Sequence, residues 1–302
     1  MNNVGRKFSN YVRTGMLSLL MCASSCTQKE APNIARKVSN PVEQKADSVG
    51  KLLSMLERGD FHSIYISKKT KKDIISVNEI SKYVPNDSVG ELFYQVYVGN
   101  ADKAIRKANN KKGKLVTVGN GITGKGYIEL AGNRKAYEGD YISAHSVDSL
   151  TKRAIDTRQD IIKKNVTSKT YETLKGYEKD AVLSYLYNVG EKLMKDKVDG
   201  KKSMFEYLAN HEKSKTQAQF RVFSSSPNAQ TGLAKRNLIQ MIIFGNGKIY
   251  NHPDAQKNFK KQLSIIKRHE NSENLVNEII DVVEKYGVDA KKFKRTKEQM
   301  QK

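Results

Sequence analysis

The chain is poor in cysteine and proline and has no tryptophan. Its 302 residues include two cysteines and five prolines, while 15 tyrosines and nine phenylalanines supply the aromatic side chains. Both cysteines, Cys22 and Cys26, lie close to the N-terminus, and two cysteines supply neither a disulfide scaffold nor a structural zinc site. The fold must therefore be stabilised by its hydrophobic core, for which a chain of this length has enough residues.

Acidic residues are scarce relative to basic ones. The sequence has 32 Asp and Glu residues against 54 Lys and Arg residues, which gives a formal net charge of +22. This excess excludes an acidic soluble enzyme and favours an anionic partner, such as a cell-wall polymer, a lipid headgroup or a nucleic acid. Hydrophobic residues at 38% and charged residues at 28% are ordinary for a folded protein, which argues against wholesale disorder.

Several enzyme motifs are missing. None of the five histidines has H-x-x-x-H or H-E-x-x-H spacing, and no G-x-S-x-G segment occurs, so a zinc hydrolase and a serine hydrolase have no support. Gly119 to Gly124 spell G-x-G-x-x-G after a predicted strand, but glycines interrupt the segment where a dinucleotide fold needs a helix. A tight hairpin is expected there instead, with no metal ion and no cofactor.

The N-terminus has the pattern of a bacterial lipoprotein signal over residues 1–25. Arg6, Lys7 and Arg13 precede a short apolar run, which is too short for the roughly 20 residues that span a bilayer. The following Ala23-Ser24-Ser25-Cys26 resembles a lipobox, which implies lipidation of Cys26 and attachment to a membrane through that lipid. The alternative is an ordinary signal cleavage near Ala23 or Ser25 that leaves a free thiol. In both cases the protein is exported to the cell envelope.

Polybasic stretches occur at Lys68–Lys72, Lys103–Lys114 and Lys291–Arg295. Such stretches suit phosphate contacts, but no nucleic-acid-binding motif accompanies them, and an exported protein meets anionic envelope polymers first. Nucleic acid is therefore not an expected partner.

Hydrophobic periodicity predicts an α+β protein that is mostly helical. Residues 26–45 read as a tether, residues 46–87 as an N-terminal extension that opens with a helix, and residues 88–250 as the main domain, with a first helix over 88–97 capped by Ser88. Strands are predicted at SIYIS (63–67) and over 115–118. The later helices are predicted at 143–164, 174–189, 203–211, 215–223, 232–244, 254–268 and 272–286. Residues 251–302 form a C-terminal extension, a helical pair with a basic end, in which Leu275, Ile279 and Val282 make one apolar stripe.

Four segments in order resemble the phage-type lysozymes, the endolysins of glycoside hydrolase family 24. They are VTVGNGIT at 116–123, GDYIS at 139–143, DAVLSYLYNVG at 180–190 and GLAKR at 232–236. The resemblance implies a mostly helical lysozyme-like fold with a small β-hairpin and extra N- and C-terminal helices. It also implies a muramidase that hydrolyses peptidoglycan between N-acetylmuramic acid and N-acetylglucosamine.

The catalytic residues of the family are only partly present. The resemblance implies that Thr117 sits beside the attacking water, yet no glutamate occupies residues 96–101, where the family's acid is expected. Glycoside cleavage needs a proton donor, and Asp102 and Glu91 are the only carboxylates between residues 88 and 116. Both are therefore candidate acids; the alternative is that both are surface charges. Glu129, Glu138 and Asp140 are expected to be surface groups.

Gly119, Gly121 and Asn188 are the candidate substrate-binding residues that the resemblance implies. Asn188 shares a helix face with Ala181, Ser184 and Tyr185, so it is expected to make a hydrogen bond on a packed face, while Gly190 is placed as the left-handed cap that ends this helix. Two hypotheses remain open. The protein is a peptidoglycan hydrolase, or it is an inactive lysozyme-fold lipoprotein that binds the wall or serves an envelope or secretion apparatus.

Overall fold

The structure, a computed structural model, describes residues 48–56, 63–66, 71–83, 90–98, 115–197, 201–221 and 227–290. The helices are α1 (Ser48–Leu56), α2 (Ala144–Val166), α3 (Ser168–Thr173), α4 (Gly176–Lys195), α5 (Met204–Ala209), α6 (Lys213–Gln217), α7 (Pro227–Phe244), α8 (Pro253–Lys267) and α9 (Ser272–Tyr286). The strands are β1 (Ser63–Ile66), β2 (Ile74–Ile75), β3 (Glu91–Gln95), β4 (Leu115–Val118), β5 (Ile122–Lys125), β6 (Tyr127–Glu129), β7 (Lys135–Tyr137) and β8 (Tyr141–Ser143). Within these ranges no helix is both long and apolar enough to cross a bilayer.

Residue contacts divide the chain into two compact units. A strand-rich unit comprises residues 57–154, and a helical unit comprises the residues up to 56 together with those from 155 onward. The boundary falls inside α2, so this helix contributes its first half to one unit and its second half to the other. The predicted α+β class is confirmed, whereas the segment boundaries proposed from the sequence stay a prediction.

The strand-rich unit contains three antiparallel sheets. Four strands pair in the order β1-β3-β8-β2, while β4 pairs with β5 and β6 pairs with β7 as two hairpins. One apolar cluster lies beneath β4 and the β6–β7 hairpin and includes Val116, Val118, Ile128 and Val147. The strand predicted at SIYIS and the hairpin predicted around Gly119 are both confirmed.

The helix predicted over residues 88–97 is wrong, because residues 91–95 form the strand β3. Phe93 pairs with Ile64 of β1 on one side and with Ser143 of β8 on the other, and its side chain is fully buried. Aromatic and β-branched residues suit such a pleated, two-sided position better than a helix face. The predicted cap, Ser88, lies outside the described residues.

The helical unit is built around α4 and α7. Helix α4 packs against α7 and α1, and α7 also packs against α8 and α9. Its core includes the fully buried Leu52, Leu53, Phe220, Phe244 and Phe259. The predicted C-terminal helical pair is confirmed as α8 and α9, although the third member of the α9 stripe is Val283 rather than Val282. The basic end of that segment lies outside the described residues.

Gly190 corrects a second prediction. The element from Gly176 to Lys195 consists of two helical segments that meet at Gly190, so the DAVLSYLYNVG helix is interrupted at this glycine as predicted. The predicted left-handed cap is wrong, because Gly190 has φ 75° and ψ 164°, an extended positive-φ conformation that glycine adopts without a Cβ penalty. The helix is therefore kinked at this residue.

Candidate functional site

The β4–β5 hairpin, which carries Thr117, is fixed by two glycines and by helix α2. Gly119 and Gly121 both have positive φ, 49° and 77°, and the N–H of Gly121 donates to the carbonyl of Gly119 at 2.7 Å. A Cβ added at Gly119 would collide with Cγ1 of Val147 on α2. The glycines are thus required by the turn itself, and a contact of either with substrate stays a prediction.

A side-chain hydrogen bond also docks the hairpin turn on α2. The amide of Asn120 donates to Oγ1 of Thr151 at 3.4 Å, and the Thr151 hydroxyl in turn donates to the carbonyl of Val147. Since this part of α2 belongs to the same unit as the hairpin, Thr117 is held on a rigid support rather than on a free loop.

Thr117 lies in the middle of a row of three hydroxyl-bearing residues. Across β4–β5 it pairs with Thr123. On its other side it exchanges two backbone hydrogen bonds with Tyr97, at 2.8 and 3.0 Å. Because Val116 and Val118 face the apolar cluster, strand alternation puts Thr117 on the opposite face, together with its two partners. We call Tyr97, Thr117 and Thr123 the hydroxyl row.

The hydroxyl row can bind but cannot supply an acid. The Thr123 hydroxyl already donates to the carbonyl of Gly121 at 3.2 Å. A hydroxyl also has acceptor lone pairs, so the row can still accept a hydrogen bond from a water or a sugar hydroxyl. Thr117 is only 5% exposed, so only a group that comes close to this face can contact its side chain. Alcohol and phenol groups titrate far above neutral pH, so protonation of a leaving group must come from a carboxyl.

Of the two predicted acids the structure describes Glu91, which it places away from Thr117. Glu91 opens β3 opposite Ile66, and the six residue steps from it to Tyr97 span roughly 20 Å of extended chain. Asp102 lies outside the described residues, and so does Cys26. Glu129 and Glu138 are exposed, as expected. The carboxylate of Asp140 accepts hydrogen bonds from the backbone N–H groups of Val77 and Tyr137.

Asp148 is a carboxyl that the sequence did not single out. It follows Val147, the residue that contacts Gly119, on α2. Partial desolvation raises the pKa of Asp148, and the nearby His145 opposes that rise. Burial, together with the charge of Asp148, raises the pKa of Tyr94. A raised pKa keeps a larger fraction of a carboxyl protonated at a given pH, and the protonated form is the one that donates a proton.

Asn188 occupies a buried network in the helical unit. It is 5% exposed, and its amide donates to the carbonyl of Ser184 at 2.9 Å. The guanidinium of Arg236 donates to Oδ1 of Asn188 and, at 3.2 Å, to the carbonyl of Leu56. The predicted hydrogen-bonding role on a packed face is confirmed by these contacts, whereas a contact with substrate stays a prediction.

No described part of the chain offers an evident metal site. Among the described ranges no group of three or more His, Cys, Asp or Glu side chains is placed to hold an ion. Tyr97 is a residue of the hydroxyl row that sequence reasoning missed, and Asp148 is a carboxyl of the same compact unit that it also missed. A signal for Tyr97 was present in the alternation of Phe93, Tyr94, Val96, Tyr97 and Val98, which reads as a strand.

Comparison with known proteins returns one family. The model of the phage lysozyme family matches residues 100–238, which is less than half of the chain and includes the hydroxyl-row residues Thr117 and Thr123 as well as Asn188. This match supports a phage-type lysozyme family and, with the helices and small antiparallel sheets described above, a lysozyme-like α+β fold. No curated protein and no solved structure matches the chain significantly.

Proposed function

We propose that this protein is an exported, lysozyme-like muramidase that hydrolyses peptidoglycan between N-acetylmuramic acid and N-acetylglucosamine. The observation that carries the proposal is the position of Thr117, in a hairpin closed by Gly119 and Gly121 within the segment that matches the phage lysozyme family. The net charge of +22 also suits an anionic envelope polymer.

In this proposal the hydroxyl row positions the attacking water and a carboxyl protonates the leaving oxygen. Thr117 accepts a hydrogen bond from the water and holds it at the anomeric carbon. Asp102 and Asp148 are the two carboxyls that we propose as acids. Asp102 is close in sequence to the vacant family position, and Asp148 follows the residue that supports the hairpin and has a raised pKa.

The proposed hydrolysis is tested on purified, insoluble peptidoglycan with the full-length protein. We expect a fall in turbidity together with new reducing ends, which distinguish a glycosidase from a peptidase. One of the variants Asp102→Asn and Asp148→Asn should lower turnover by about 100-fold, the size typical of losing an acid–base group. Glu129→Gln, which changes an exposed carboxylate of the same unit, is the matched control and should leave turnover unchanged.

A second function, wall binding without hydrolysis, is favoured by one specific observation. No glutamate lies between residues 96 and 101, where the lysozyme acid would be expected. If wild type sediments with peptidoglycan but generates no reducing ends, this binding function replaces the muramidase.

The lipid anchor is a separate proposal. Lipidation of Cys26 would hold the protein at a membrane of the cell envelope, with residues 26–45 as a tether. Cys26→Ala should move the protein from the membrane fraction to the soluble envelope fraction. Unchanged fractionation would argue for an ordinary cleaved signal.

A further inference from the structure

We infer that the outer face of the β6–β7 hairpin is a second binding surface for a peptidoglycan glycan strand, outside the hydroxyl row. The inference rests on the proposed function, because the family match is what points to peptidoglycan. Its observations are nevertheless independent of Thr117. They are the buried and outer faces of the hairpin, the exposed Tyr137 beside the half-buried Tyr127, the contacts that position these two residues, and the local charge balance.

The hairpin has one buried face and one outer face. Ile128 and Ala136 pair across the strands and are buried in the apolar cluster of the strand-rich unit. By strand alternation the flanking pairs, Tyr127 with Tyr137 and Glu129 with Lys135, point away from that cluster. The outer face therefore presents two aromatic rings beside a carboxylate and an ammonium group.

The two aromatic side chains of this face, the exposed Tyr137 and the half-buried Tyr127, contact one another. Tyr137 is 54% exposed, and Val77, at 45%, is the other exposed large hydrophobic side chain in the described part of the chain. The rings of Tyr127 and Tyr137 lie 6.1 Å apart between centroids at an interplanar angle of 57°, and the ammonium of Lys135 lies 4.3 Å from the centroid of Tyr127. A cation over one ring fixes the orientation of that ring.

Asp140 holds Tyr137 and Val77 in adjacent positions. Its carboxylate accepts from the N–H of Tyr137 at 2.9 Å and from the N–H of Val77 at 3.2 Å. The intervening Gly139 has φ 94°, and its N–H donates to the carbonyl of Val96 at 2.7 Å. A surface ordered in this way loses little conformational entropy on binding.

The local charge balance decides between possible occupants. Residues 125–140 contain three basic residues (Lys125, Arg134 and Lys135) and three acidic ones (Glu129, Glu138 and Asp140), so this segment is neutral in a chain of net charge +22. An anionic membrane surface or a nucleic acid would require a positive patch. A glycan backbone of uncharged, hydroxyl-rich rings has apolar C–H faces that can stack on tyrosine. Its hydroxyl and amide groups find both donors and acceptors on this face.

The face is also continuous in the chain with the candidate catalytic hairpin. Only Gly126 separates β5 from β6, and Gly124 lies against the carbonyl of Tyr127 so closely that a Cβ would not fit. The β6 strand packs against both β4 and β5. A glycan chain bound at the hydroxyl row thus has a neighbouring aromatic surface in the same compact unit.

The test is co-sedimentation of the full-length protein with purified, insoluble peptidoglycan at graded protein concentrations. We expect Tyr137→Ala to weaken binding by about fivefold and Tyr127→Ala/Tyr137→Ala to weaken it further, as expected for lost aromatic stacking. Tyr137→Phe keeps the ring and should bind as wild type does. Tyr177→Ala is the matched control, because Tyr177 also lies beside a lysine, Lys175, but in the helical unit; it should bind as wild type does. Thermal unfolding of each variant reports whether the fold is intact.

The outcomes separate this inference from the proposed hydrolysis. Wild-type binding by a folded Tyr137→Ala variant overturns the inference, even if wild type hydrolyses the polymer. Tyrosine-dependent binding without new reducing ends supports the surface and overturns the muramidase. Sedimentation of wild type, but not of Tyr137→Ala, with phosphatidylglycerol vesicles would overturn the choice of a glycan as the occupant.

Discussion

The two compact units place their polar residues in opposite ways. Within the described residues, the helical unit buries charged and amide side chains among its helices, including Glu178, Asp180, Asn188, Arg236 and Gln240. The described part of the strand-rich unit buries only hydroxyl side chains (Thr117, Ser143 and Thr151) and exposes Tyr137 and Val77. Buried polar groups must be hydrogen-bonded and therefore specify one packing. Buried hydrogen bonds thus specify the packing of the helical unit, whereas the buried polar side chains described in the strand-rich unit are hydroxyls on strands and on α2.

This comparison predicts that a single polar substitution in the helical unit costs stability, whereas one in the strand-rich unit costs function. The largest stability effect is expected at Arg236. Arg236→Met leaves Oδ1 of Asn188 and the carbonyl of Leu56 without this charged donor, so the free energy of unfolding should fall by about 3 kcal/mol. Chemical denaturation measures the loss.

Lys235→Met is the matched control for Arg236. Lys235 precedes it on α7 and pairs with Glu278 at 2.6 Å, but this ion pair lies at the surface. Such pairs contribute less than about 1 kcal/mol, so the control should unfold almost as wild type does. Equal losses in the two variants would show that the network around Asn188 does not specify the packing of α1, α4 and α7.

Substitution of Thr117 should instead lower activity strongly and change stability little. Thr117→Val keeps the β-branched shape on a strand but removes the hydroxyl, so we expect hydrolysis to fall by about 100-fold, or about 2.7 kcal/mol in activation free energy. Its free energy of unfolding should change by only about 1 kcal/mol, the size of one neutral hydrogen bond, because the hydroxyl is lost while the β-branched shape is kept. Thr117→Ser restores the hydroxyl and should restore turnover. A Thr117→Val variant with full turnover would remove Thr117 from the mechanism.

The hydrogen bond between Tyr286 of α9 and Asp180 should give a stability loss of intermediate size when it is removed. The Tyr286 hydroxyl donates to Oδ2 of Asp180 at 2.5 Å, and Asp180 is 5% exposed. Tyr286→Phe removes this donor, so we expect a loss of about 1.5 kcal/mol and faster amide exchange within Ser272–Tyr286. Tyr137→Phe, at an exposed tyrosine, should cost nothing measurable. Unchanged exchange in α9 would mean that apolar contacts alone hold it.

The difference between the two units also explains which helices and strands could be predicted from the sequence. Most helices from α2 onward follow from local periodicity, since residues such as Leu275 and Ile279 recur at helical spacing. The exceptions are α3, which was not predicted, and the helix predicted at 215–223, which is observed as the shorter α6. Strand β3 depends on two partners far away in the chain, Ile64 and Ser143. The residues of this segment do show an alternation typical of a strand, but the pairing that decides its structure comes from these distant partners.

The candidate site depends even more on distant residues. Thr117 was identified because the residues around it in the sequence resemble a family segment. Its neighbour Tyr97 is brought beside it by a β-bridge, and the two residues lie far apart in the sequence. Asn188 and Arg236 meet across 48 residues of sequence. Asp148 has no motif of its own, and the rise in its pKa comes from desolvation that only the fold creates. Sequence periodicity has no access to such contacts.

The smallest expected effect on stability concerns the N-terminal cap of α5, in which the carboxylate of Glu206 takes part. The backbone N–H of Ser203, assisted by the ammonium of Lys197 and the Ser203 hydroxyl, lowers the pKa of Glu206 to about 2. A lowered pKa stabilises the folded state above the unfolded value of about 4.5, and this contribution is lost as the pH falls through about 2. Because Glu206 is exposed, the contribution is small.

Glu206→Gln can still accept the hydrogen bond from the Ser203 N–H, but it no longer titrates. Its free energy of unfolding should therefore fall slightly less steeply than that of wild type between pH 5 and pH 2. An NMR titration of the Glu206 carboxyl gives the direct measurement. Lys197→Ala and Ser203→Ala should each raise the titration midpoint of Glu206 only part of the way towards 4.5. The largest cause of the lowered pKa, the hydrogen bond from the backbone N–H of Ser203, remains in both variants. A wild-type titration midpoint near pH 4.5 for Glu206 would mean that its hydrogen bond to the N–H of Ser203 does not form in solution. The two units would then differ only in their buried polar residues.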